Sequence, residues 1–176
     1  MSTPSKKYVV VVGGPAGCGK STVGNLLAEK FECTFIEGDS LHPKANVEKM
    51  SHGIPLTDDD RWDWLKNIAH ESAEFAEKSK TNVSVAACSA LKKVYRDTIR
   101  EAAPQVCFLF VMMPVEEEEL LRRVAARKNH FMKADMVQSQ LAILQIPRDD
   151  EAGCLVYWNN VDVDDCYAQL EKLMHE

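Results

Sequence analysis

The chain has 176 residues, of which 45% are hydrophobic and 27% charged, and its formal net charge is −6. This length suits a single domain, residues 1–176, with a proper core and is too short for two. The negative charge argues against a nucleic-acid partner, because the surface as a whole would repel phosphates. No apolar run approaches the roughly 20 residues of a membrane span, and the polar start lacks a secretory signal, so we expect no membrane partner.

The cysteine pattern predicts a reducing compartment, most simply the cytosol. A C-x-x-C pair, which would indicate a metal or redox site, does not occur in the sequence. Scattered cysteines of this kind are typical of reduced thiols used as small core residues, so we expect a cytoplasmic protein. The six cysteines are Cys18, Cys33, Cys88, Cys107, Cys154 and Cys166.

Apolar runs alternate with helix-length amphipathic segments along the whole chain. The predicted strands are residues 8–12, 34–37, 83–87, 106–112 and 155–158. The predicted helices are residues 20–31, 43–51, 61–80, 91–102, 116–127, 134–145 and 163–175. The strands are β-branched and nearly continuous in apolarity, which favours a parallel sheet covered on both faces. The sequence therefore predicts a three-layer α/β domain with a five-stranded sheet and ligands at the carboxyl ends of its strands.

A glycine-rich run, GPAGCGKST, separates the first predicted strand from the first predicted helix. Its glycines let backbone N–H groups turn inward around a phosphate, Lys20 can reach the β and γ oxygens, and the Ser21 hydroxyl can bind Mg²⁺. The strand before it and the helix after it are the setting that this mechanism requires. The sequence thus predicts a nucleoside triphosphate site made of Gly14, Pro15, Ala16, Gly17, Cys18, Gly19, Lys20, Ser21 and Thr22.

Asp39 follows the second predicted strand, with His42 three residues further on. That position faces the same crevice as the glycine-rich run, and a carboxylate there could accept the proton that a hydroxyl loses during phosphoryl transfer. Capping of the next turn is the alternative role for Asp39. Strand alternation predicts that Glu37 points away from the side that Asp39 faces.

The third predicted helix has a clear start signal. Thr57 can act as the N-cap with an acid three residues later, and the acidic run at 58–60 suits the positive end of the helix dipole. Capping and dipole effects explain Asp58 and Asp59 better than a metal site does. Arg61 opposes the same dipole, which favours a functional role for it.

Two basic clusters indicate an anionic substrate. Arg123 and Arg127 are four residues apart near the end of a predicted helix, where they suit either the helix dipole or a lid that closes over phosphates. The second cluster follows the third predicted strand and comprises Lys92, Lys93, Arg96 and Arg100. Together with Arg61 and His42, this cluster predicts an acidic, hydroxylated acceptor.

The sequence also argues against two other classes of nucleotide-binding protein. GTP switches carry an Asn-Lys-x-Asp tetrapeptide that reads the base, and this tetrapeptide does not occur here. Motors end an apolar strand in an aspartate, whereas the run that starts at Val83 ends in Ser89. These observations favour a kinase of a small molecule.

Five motifs in order closely resemble the gluconokinase family: GDSLHP (38–43), NVEKM (46–50), GIPLTDDDR (53–61), CSALKKVYRD (88–97) and RKNHFM (127–132). The match continues through Ser139-Gln140 and residues 144–147 to Glu151. The resemblance implies a P-loop kinase fold, related to shikimate and nucleoside monophosphate kinases, with a mobile lid at about residues 123–135. It also implies transfer of the ATP γ-phosphate to the 6-hydroxyl of D-gluconate, and the product, 6-phospho-D-gluconate, feeds the pentose phosphate pathway.

Carried over residue by residue, the resemblance assigns roles across the crevice. It makes Lys20, Asp39 and Arg127 catalytic, with Asp39 as the base or as an acid that orients the substrate. It assigns Arg123 to the nucleotide. The predicted gluconate contacts are Asp39, His42, Arg61, Lys92, Arg96, Arg127 and His130.

The chain departs from the family pattern at three positions. Asn129 stands where the family usually has glycine, and Pro15 and Cys18 replace smaller residues of the phosphate loop. Asn tolerates a positive φ better than most residues, so a tight turn at Asn129 is still expected. We also expect the segment 158–161 to pass near the adenine.

Three alternatives remain open at this stage. The acceptor could be a related hydroxy acid such as shikimate, or the protein could be a nucleotide-dependent switch that hydrolyses ATP slowly. The family often forms dimers, which leaves a homodimer open. Trp62 and Trp64 would suit either a core or an interface.

Overall fold

The computed structural model describes residues 6–126 and 134–175. Five parallel strands form one sheet in the order β2-β3-β1-β4-β5. The strands are β1 Tyr8–Gly13, β2 Phe35–Glu37, β3 Val83–Ala87, β4 Cys107–Met112 and β5 Cys154–Val156. The predicted five-stranded parallel sheet is therefore confirmed. The fifth strand begins one residue before the predicted start and ends two residues before the predicted end.

Within the described ranges, seven α-helices surround the sheet. They are α1 Lys20–Lys30, α2 Lys44–Ser51, α3 Asp58–Lys78, α4 Lys93–Ala102, α5 Glu117–Ala126, α6 Ala134–Ile143 and α7 Val163–Met174. A 3-10 turn, Gly38–Leu41, follows β2 directly. Within the described residues, no helix combines the length and the apolar character needed to cross a lipid bilayer.

The sheet separates two hydrophobic clusters. Alternate residues of β1 point to opposite faces, so that Val9 and Val11 pack with α3 and α4, whereas Val10 and Val12 pack with α1 and α7. Residues 9–12 are all 0% exposed, which explains why this strand is apolar without alternation. We call these two the α3/α4 cluster and the α1/α7 cluster. Both faces are covered, as the sequence predicts.

The start of α3 shows the predicted cap. The backbone N–H of Asp60 donates to Thr57 Oγ1, and the backbone N–H of Thr57 donates to Asp60 Oδ2 at 2.8 Å. This reciprocal pair is a capping box. The helix begins at Asp58, three residues earlier than predicted, so Arg61 lies at the end of its first turn.

Trp64 belongs to the core. It is 3% exposed, its indole N–H donates to the carbonyl oxygen of Gly38 at 2.8 Å, and its ring stacks on His42. Trp62 is half-buried and meets the edge of Tyr95. Trp64 thus fixes the 3-10 turn that carries Asp39 against α3.

Candidate active site

The phosphate loop runs from the end of β1 to the start of α1, at the carboxyl edge of the sheet. Gly14 has a φ of 141°, and a Cβ there would lie 2.8 Å from the carbonyl oxygen of Met113. Gly19 has a φ of 98° and forms the N-cap of α1. Both positions therefore require glycine. The backbone N–H of Gly14 donates to the carbonyl oxygen of Ser89, which ties the loop to the end of β3.

Lys20 folds back over its own loop. Its Nζ donates to the carbonyl oxygens of Gly14 at 3.0 Å and Pro15 at 3.2 Å. These are neutral acceptors, and no salt bridge to Lys20 occurs within the described residues. The ammonium charge is therefore held at the loop without a carboxylate to neutralise it, as an incoming phosphate requires.

Ser21 and Glu37 lie together beside the loop. The Ser21 hydroxyl donates a short hydrogen bond to Glu37 Oε2. A period of two holds along β2: Phe35 packs in the α1/α7 cluster, Ile36 packs on the other face, and Glu37 again lies on the α1 side. The expectation that alternation turns Glu37 away is therefore wrong, and its carboxylate adds an oxygen next to the proposed magnesium ligand.

Asp39 and His42 flank the 3-10 turn. Asp39 is exposed, and within the described residues no hydrogen bond reaches its carboxylate. His42 stacks on Trp64 with ring centroids 4.0 Å apart, and the amide nitrogen of Asn46 lies 3.2 Å from His42 Nδ1. Burial lowers the pKa of His42 to about 4, and the positive charge of Arg61 also lowers it, whereas Asp39 opposes the shift. His42 is therefore a neutral imidazole at pH 7.

Arg61 and Lys92 meet around Tyr95 and Asp58. Lys92 Nζ lies 3.1 Å from Asp58 Oδ1, and the Tyr95 hydroxyl donates to the same carboxylate. Arg61 Nη1 donates to the Tyr95 hydroxyl, and both cations lie over the Tyr95 ring. The hydrogen bond from Tyr95 lowers the pKa of Asp58, and Lys92 lowers it further. Two cations and one carboxylate leave this cluster with a net positive charge.

Lys20, Asp39 and Arg61 lie around one point just past the end of β3. The buried thiol of Cys88 lies just past β3, and the charges of Lys20, Asp39 and Arg61 all act on its pKa. Burial is the main cause that raises the pKa of this thiol, and the three charges modify it. Groups from three separate segments of the chain therefore converge at the carboxyl ends of β1, β2 and β3, as parallel α/β sheets favour.

Arg96 lies in the core and not in the crevice. It is 0% exposed and forms a two-point ion pair with Glu151, with Nε–Oε2 at 2.7 Å and Nη2–Oε1 at 2.9 Å. Its remaining N–H groups donate to the carbonyl oxygens of Ala90, Leu91 and Gln145. All five guanidinium N–H groups are used, so none remains for a substrate. This geometry corrects the sequence-based assignment of Arg96 to the substrate.

Arg123 lies beside the end of the phosphate loop. Its Nε donates to Glu119 at 2.9 Å, and Nη2 donates to the carbonyl oxygen of Asn159 at 2.6 Å. Nη1 lies 3.4 Å from the carbonyl oxygen of Cys18. Arg123 thus joins α5, the phosphate loop and the segment 158–161. Arg127, Asn129 and His130, and most of the predicted lid, lie outside the described residues.

Sequence reasoning missed four residues that shape this crevice. Asp58 was explained by the helix dipole, although an acid three residues before Arg61 already permits an ion pair on one helix face. Tyr95, Gln140 and Glu151 fall inside the matching motifs but show no local signal, because their partners are distant in sequence. Gln140 Oε1 accepts the backbone N–H of Ala16 at 2.7 Å, 124 residues away.

Comparison with known proteins agrees with this geometry. A family model described as "AAA domain" matches residues 9–147. A "Probable gluconokinase" of Saccharomyces cerevisiae is 50% identical over 158 residues, covering 86% of this chain and 82% of the relative. The "Thermoresistant gluconokinase" of Escherichia coli K12 is 41% identical over 163 residues, covering 93% and 89%.

A solved structure extends the agreement to the fold. The crystal structure of a gluconokinase from Sinorhizobium meliloti 1021 superposes with a TM-score of 0.78 at 39% identity, covering 98% of this chain and 94% of that one. Identity at this level over nearly the whole length, together with the phosphate loop and the cationic crevice, leads to one assignment. The chain belongs to the gluconokinase family.

Proposed function

We propose that this protein transfers the γ-phosphoryl group of ATP to the 6-hydroxyl of D-gluconate. The observation that supports this most directly is that Lys20, Asp39 and Arg61, from three separate segments, all lie near enough to Cys88 for their charges to act on its thiol. The family relatives carry the name gluconokinase, and the predicted acidic, hydroxylated acceptor agrees with that name.

The phosphate side of the reaction belongs to residues 14–22. The glycine-rich backbone can surround the phosphates, and Lys20 can transfer its hydrogen bonds from two loop carbonyls to phosphate oxygens. The Ser21 hydroxyl and the Glu37 carboxylate are hard oxygen ligands of the type that Mg²⁺ prefers. These residues fit Mg²⁺, which would supply charge neutralisation for the transferred group.

Asp39 takes the proton in this proposal. A hydroxyl attacks phosphorus more readily when a carboxylate accepts its hydrogen, and one oxygen of Asp39 would hold that proton after transfer. Within the described residues, this carboxylate accepts no hydrogen bond that a substrate would have to break. Its exposure gives the substrate direct access.

The acceptor side consists of His42, Arg61 and Lys92. The two cations would bind the carboxylate of gluconate, with Arg61 offering the planar, two-donor geometry that suits such a group. Neutral His42 accepts at Nδ1 from Asn46, which leaves its proton on Nε2 as the donor to a sugar hydroxyl. A neutral imidazole here also avoids adding a third positive charge.

The proposal assigns three further residues to the nucleotide and the lid: Arg123, Arg127 and His130. Arg123 is held beside the loop and the segment 158–161, a position from which it can line the nucleotide site. Arg127 and His130 remain sequence-based proposals for contacts to phosphates and substrate from the lid.

A coupled assay tests the function. ATP consumption should depend strictly on added D-gluconate, and the phosphate should appear on the 6-hydroxyl, as ³¹P NMR of the product can show. A panel that includes shikimate and D-glucitol separates a sugar-acid kinase from a kinase of another hydroxy acid or of a neutral polyol. If the rate of ATP hydrolysis were the same with and without each acceptor, this result would support the switch interpretation and overturn the proposal.

A cytosolic location is part of the same proposal. All six cysteines are free thiols in the structure, and ATP is abundant where thiols stay reduced. Fractionation of the source cells, followed by immunodetection of the protein, tests this location.

A further inference from the structure

Helix α6 crosses from one layer of the protein to the other at the carboxyl edge of the sheet. Val137 is buried in the α1/α7 cluster, and Leu141 packs against the same cluster. Ile143 and Leu144, directly after them, pack against the α3/α4 cluster on the other face. The segment 137–145 therefore contacts both halves of the domain.

One end of this segment holds the phosphate loop. Gln140 Oε1 accepts the backbone N–H of Ala16 at 2.7 Å. This N–H belongs to the loop whose amides are available for phosphate, so the position of Gln140 and the conformation of the loop are linked. The side chain of Gln138, two residues earlier, is exposed, and its one hydrogen bond within the described residues is a 3.4 Å contact with Glu117.

The other end holds the backbone on both sides of Lys92. The N–H of Gln145 donates to the carbonyl oxygen of Leu91 at 2.7 Å, and Gln145 Oε1 accepts the N–H of Lys93 at 3.0 Å. The carbonyl oxygen of Gln145 accepts from buried Arg96 at 3.0 Å. Because Lys92 is a proposed contact for the acceptor, Gln145 fixes the acceptor side of the crevice.

We infer that Gln140 and Gln145 are positioning residues that couple the nucleotide site to the acceptor site through α6. The six residues 140–145 join the phosphate loop to the backbone that carries Lys92. A ligand that orders either end therefore orders the other, and each ligand should strengthen the binding of its partner by the same factor. The identity of the two ligands rests on the proposed function, whereas the coupling rests on these contacts.

Calorimetry can measure this coupling without turnover. The dissociation constant of D-gluconate is determined with and without saturating β,γ-imido-ATP and Mg²⁺, which bind but cannot transfer phosphate. For the wild type we expect gluconate to bind at least about fivefold tighter with the analogue, the lower end of typical coupling between sites. In Gln140→Ala the factor should fall to nearly one, while the affinity for gluconate alone changes less than about twofold.

Two further variants separate coupling from simple damage to the fold. Gln138→Ala is the matched control on the same helix and should keep the wild-type factor. Gln145→Ala removes the side-chain contact with the backbone N–H of Lys93 and keeps the backbone contacts of residue 145. It should also lower the factor by which the ATP analogue tightens gluconate binding. The double variant of Gln140 and Gln145 should lower it no further, because both act through one segment. Irreversibly inactive protein changes the stoichiometry of the titration and not the dissociation constant, and reversible unfolding would raise the coupling factor because either ligand stabilises the fold, so neither can imitate its loss.

The results that would overturn the inference are specific. A wild-type factor of one, or a Gln140→Ala variant that keeps the wild-type factor, would mean that α6 does not couple the sites. A wild type that fails to phosphorylate gluconate would contradict the proposed function instead. The same titrations with the acid that the panel identifies would then test the coupling.

Discussion

Asp58 sets the charge of the acceptor side of the crevice. Its carboxylate lies 3.1 Å from Lys92 Nζ and accepts the Tyr95 hydroxyl, which in turn accepts from Arg61. Arg61 and Lys92 are thus held apart around one anion, where they would otherwise repel each other. The pair is oriented before a substrate arrives, so less conformational entropy is lost on binding.

Lys20→Ala should abolish turnover and leave the fold intact. The lysine makes hydrogen bonds to two loop carbonyls and acts on the charge of bound phosphate, not on core packing. We expect less than about a tenth of the wild-type rate, which corresponds to at least ~1.4 kcal/mol of barrier. Steady-state kinetics and circular dichroism measure both quantities. Lys66→Ala, at an exposed position on α3, is the control, and a more active Lys20→Ala protein would contradict the assignment.

Asp39→Asn should lower kcat by about 10²–10⁴-fold, the range for loss of a positioned general base. The amide cannot take the proton from the hydroxyl, but it fits the same exposed position. The affinity for ATP, measured by calorimetry, should remain nearly unchanged. Asp59→Asn serves as the control, since Asp59 bonds only to the Trp62 indole within the described residues. Normal turnover in Asp39→Asn would show that Asp39 is not the base.

At the scale of elements, a buried ion-pair network fixes α4 to the segment that follows α6. Arg96 and Arg100 of α4 both bind Glu151, whose side chain is only 4% exposed. Burial alone would raise the pKa of Glu151, but the hydrogen bonds from Arg96 and Arg100 outweigh it and hold the pKa at about 2. Arg100 also lies over the Phe110 ring, which ties the network to β4. Glu151 is therefore ionised at any ordinary pH.

Arg96→Leu should destabilise the protein and change the KM for gluconate less than loss of a direct substrate contact would. Loss of the guanidinium leaves Glu151 and three carbonyl oxygens without their donor. We expect a loss of about 3 kcal/mol, the lower end for breaking a buried pair, because Arg100 still neutralises Glu151. Urea unfolding measures this loss, and kinetics give the KM for gluconate.

Lys92→Leu is the variant to compare with Arg96→Leu, because it removes a cation that lies outside the core. Lys92 is partly exposed and faces the crevice, so its loss should raise the KM for gluconate and cost little stability. If Arg96→Leu raised the KM while Lys92→Leu did not, the two residues would have the opposite roles to those derived from the structure.

For the whole molecule, stability should fall as the pH drops below about 6.5. His42 has a pKa of about 4 in the folded protein against 6.5 in an unfolded chain, so the unfolded state takes up the proton first. The stability that neutral His42 provides is complete above pH 6.5 and is lost progressively down to pH 4. At pH 5 this loss is about 1–2 kcal/mol relative to pH 7. Protonation of Glu151 lowers the stability further as the pH falls from 4.5 to 2, because its pKa is lower in the folded protein than in the unfolded chain.

Urea unfolding at pH 7 and pH 5 checks this dependence. The difference between the two pH values should shrink in His42→Gln, which keeps a hydrogen-bonding side chain beside Asn46 but cannot titrate. His52→Gln, at an exposed position after α2, should keep the wild-type difference. Equal pH dependence in the wild type and His42→Gln would show that His42 does not control it.

The sequence by itself determined the fold class, the phosphate loop and the family. Each of these depends on residues that are close together in the chain. The apolar run of β1, the glycines of the loop and the capping box at Thr57 are signals within a few residues. Local sterics and hydrogen bonds set such features, so they can be predicted before any packing is known.

Only the tertiary structure decided which polar side chains reach the crevice. Arg96 and Lys92 are four residues apart in one basic cluster, yet packing buries Arg96 against Glu151, 55 residues away, and leaves Lys92 beside Asp58, 34 residues away. Glu37 of β2 meets Ser21 of α1, and Gln140 meets Ala16 across 124 residues. A charged or amide side chain can satisfy its hydrogen bonds with many partners. Which partner it meets depends on how the layers pack, and no local pattern encodes that choice.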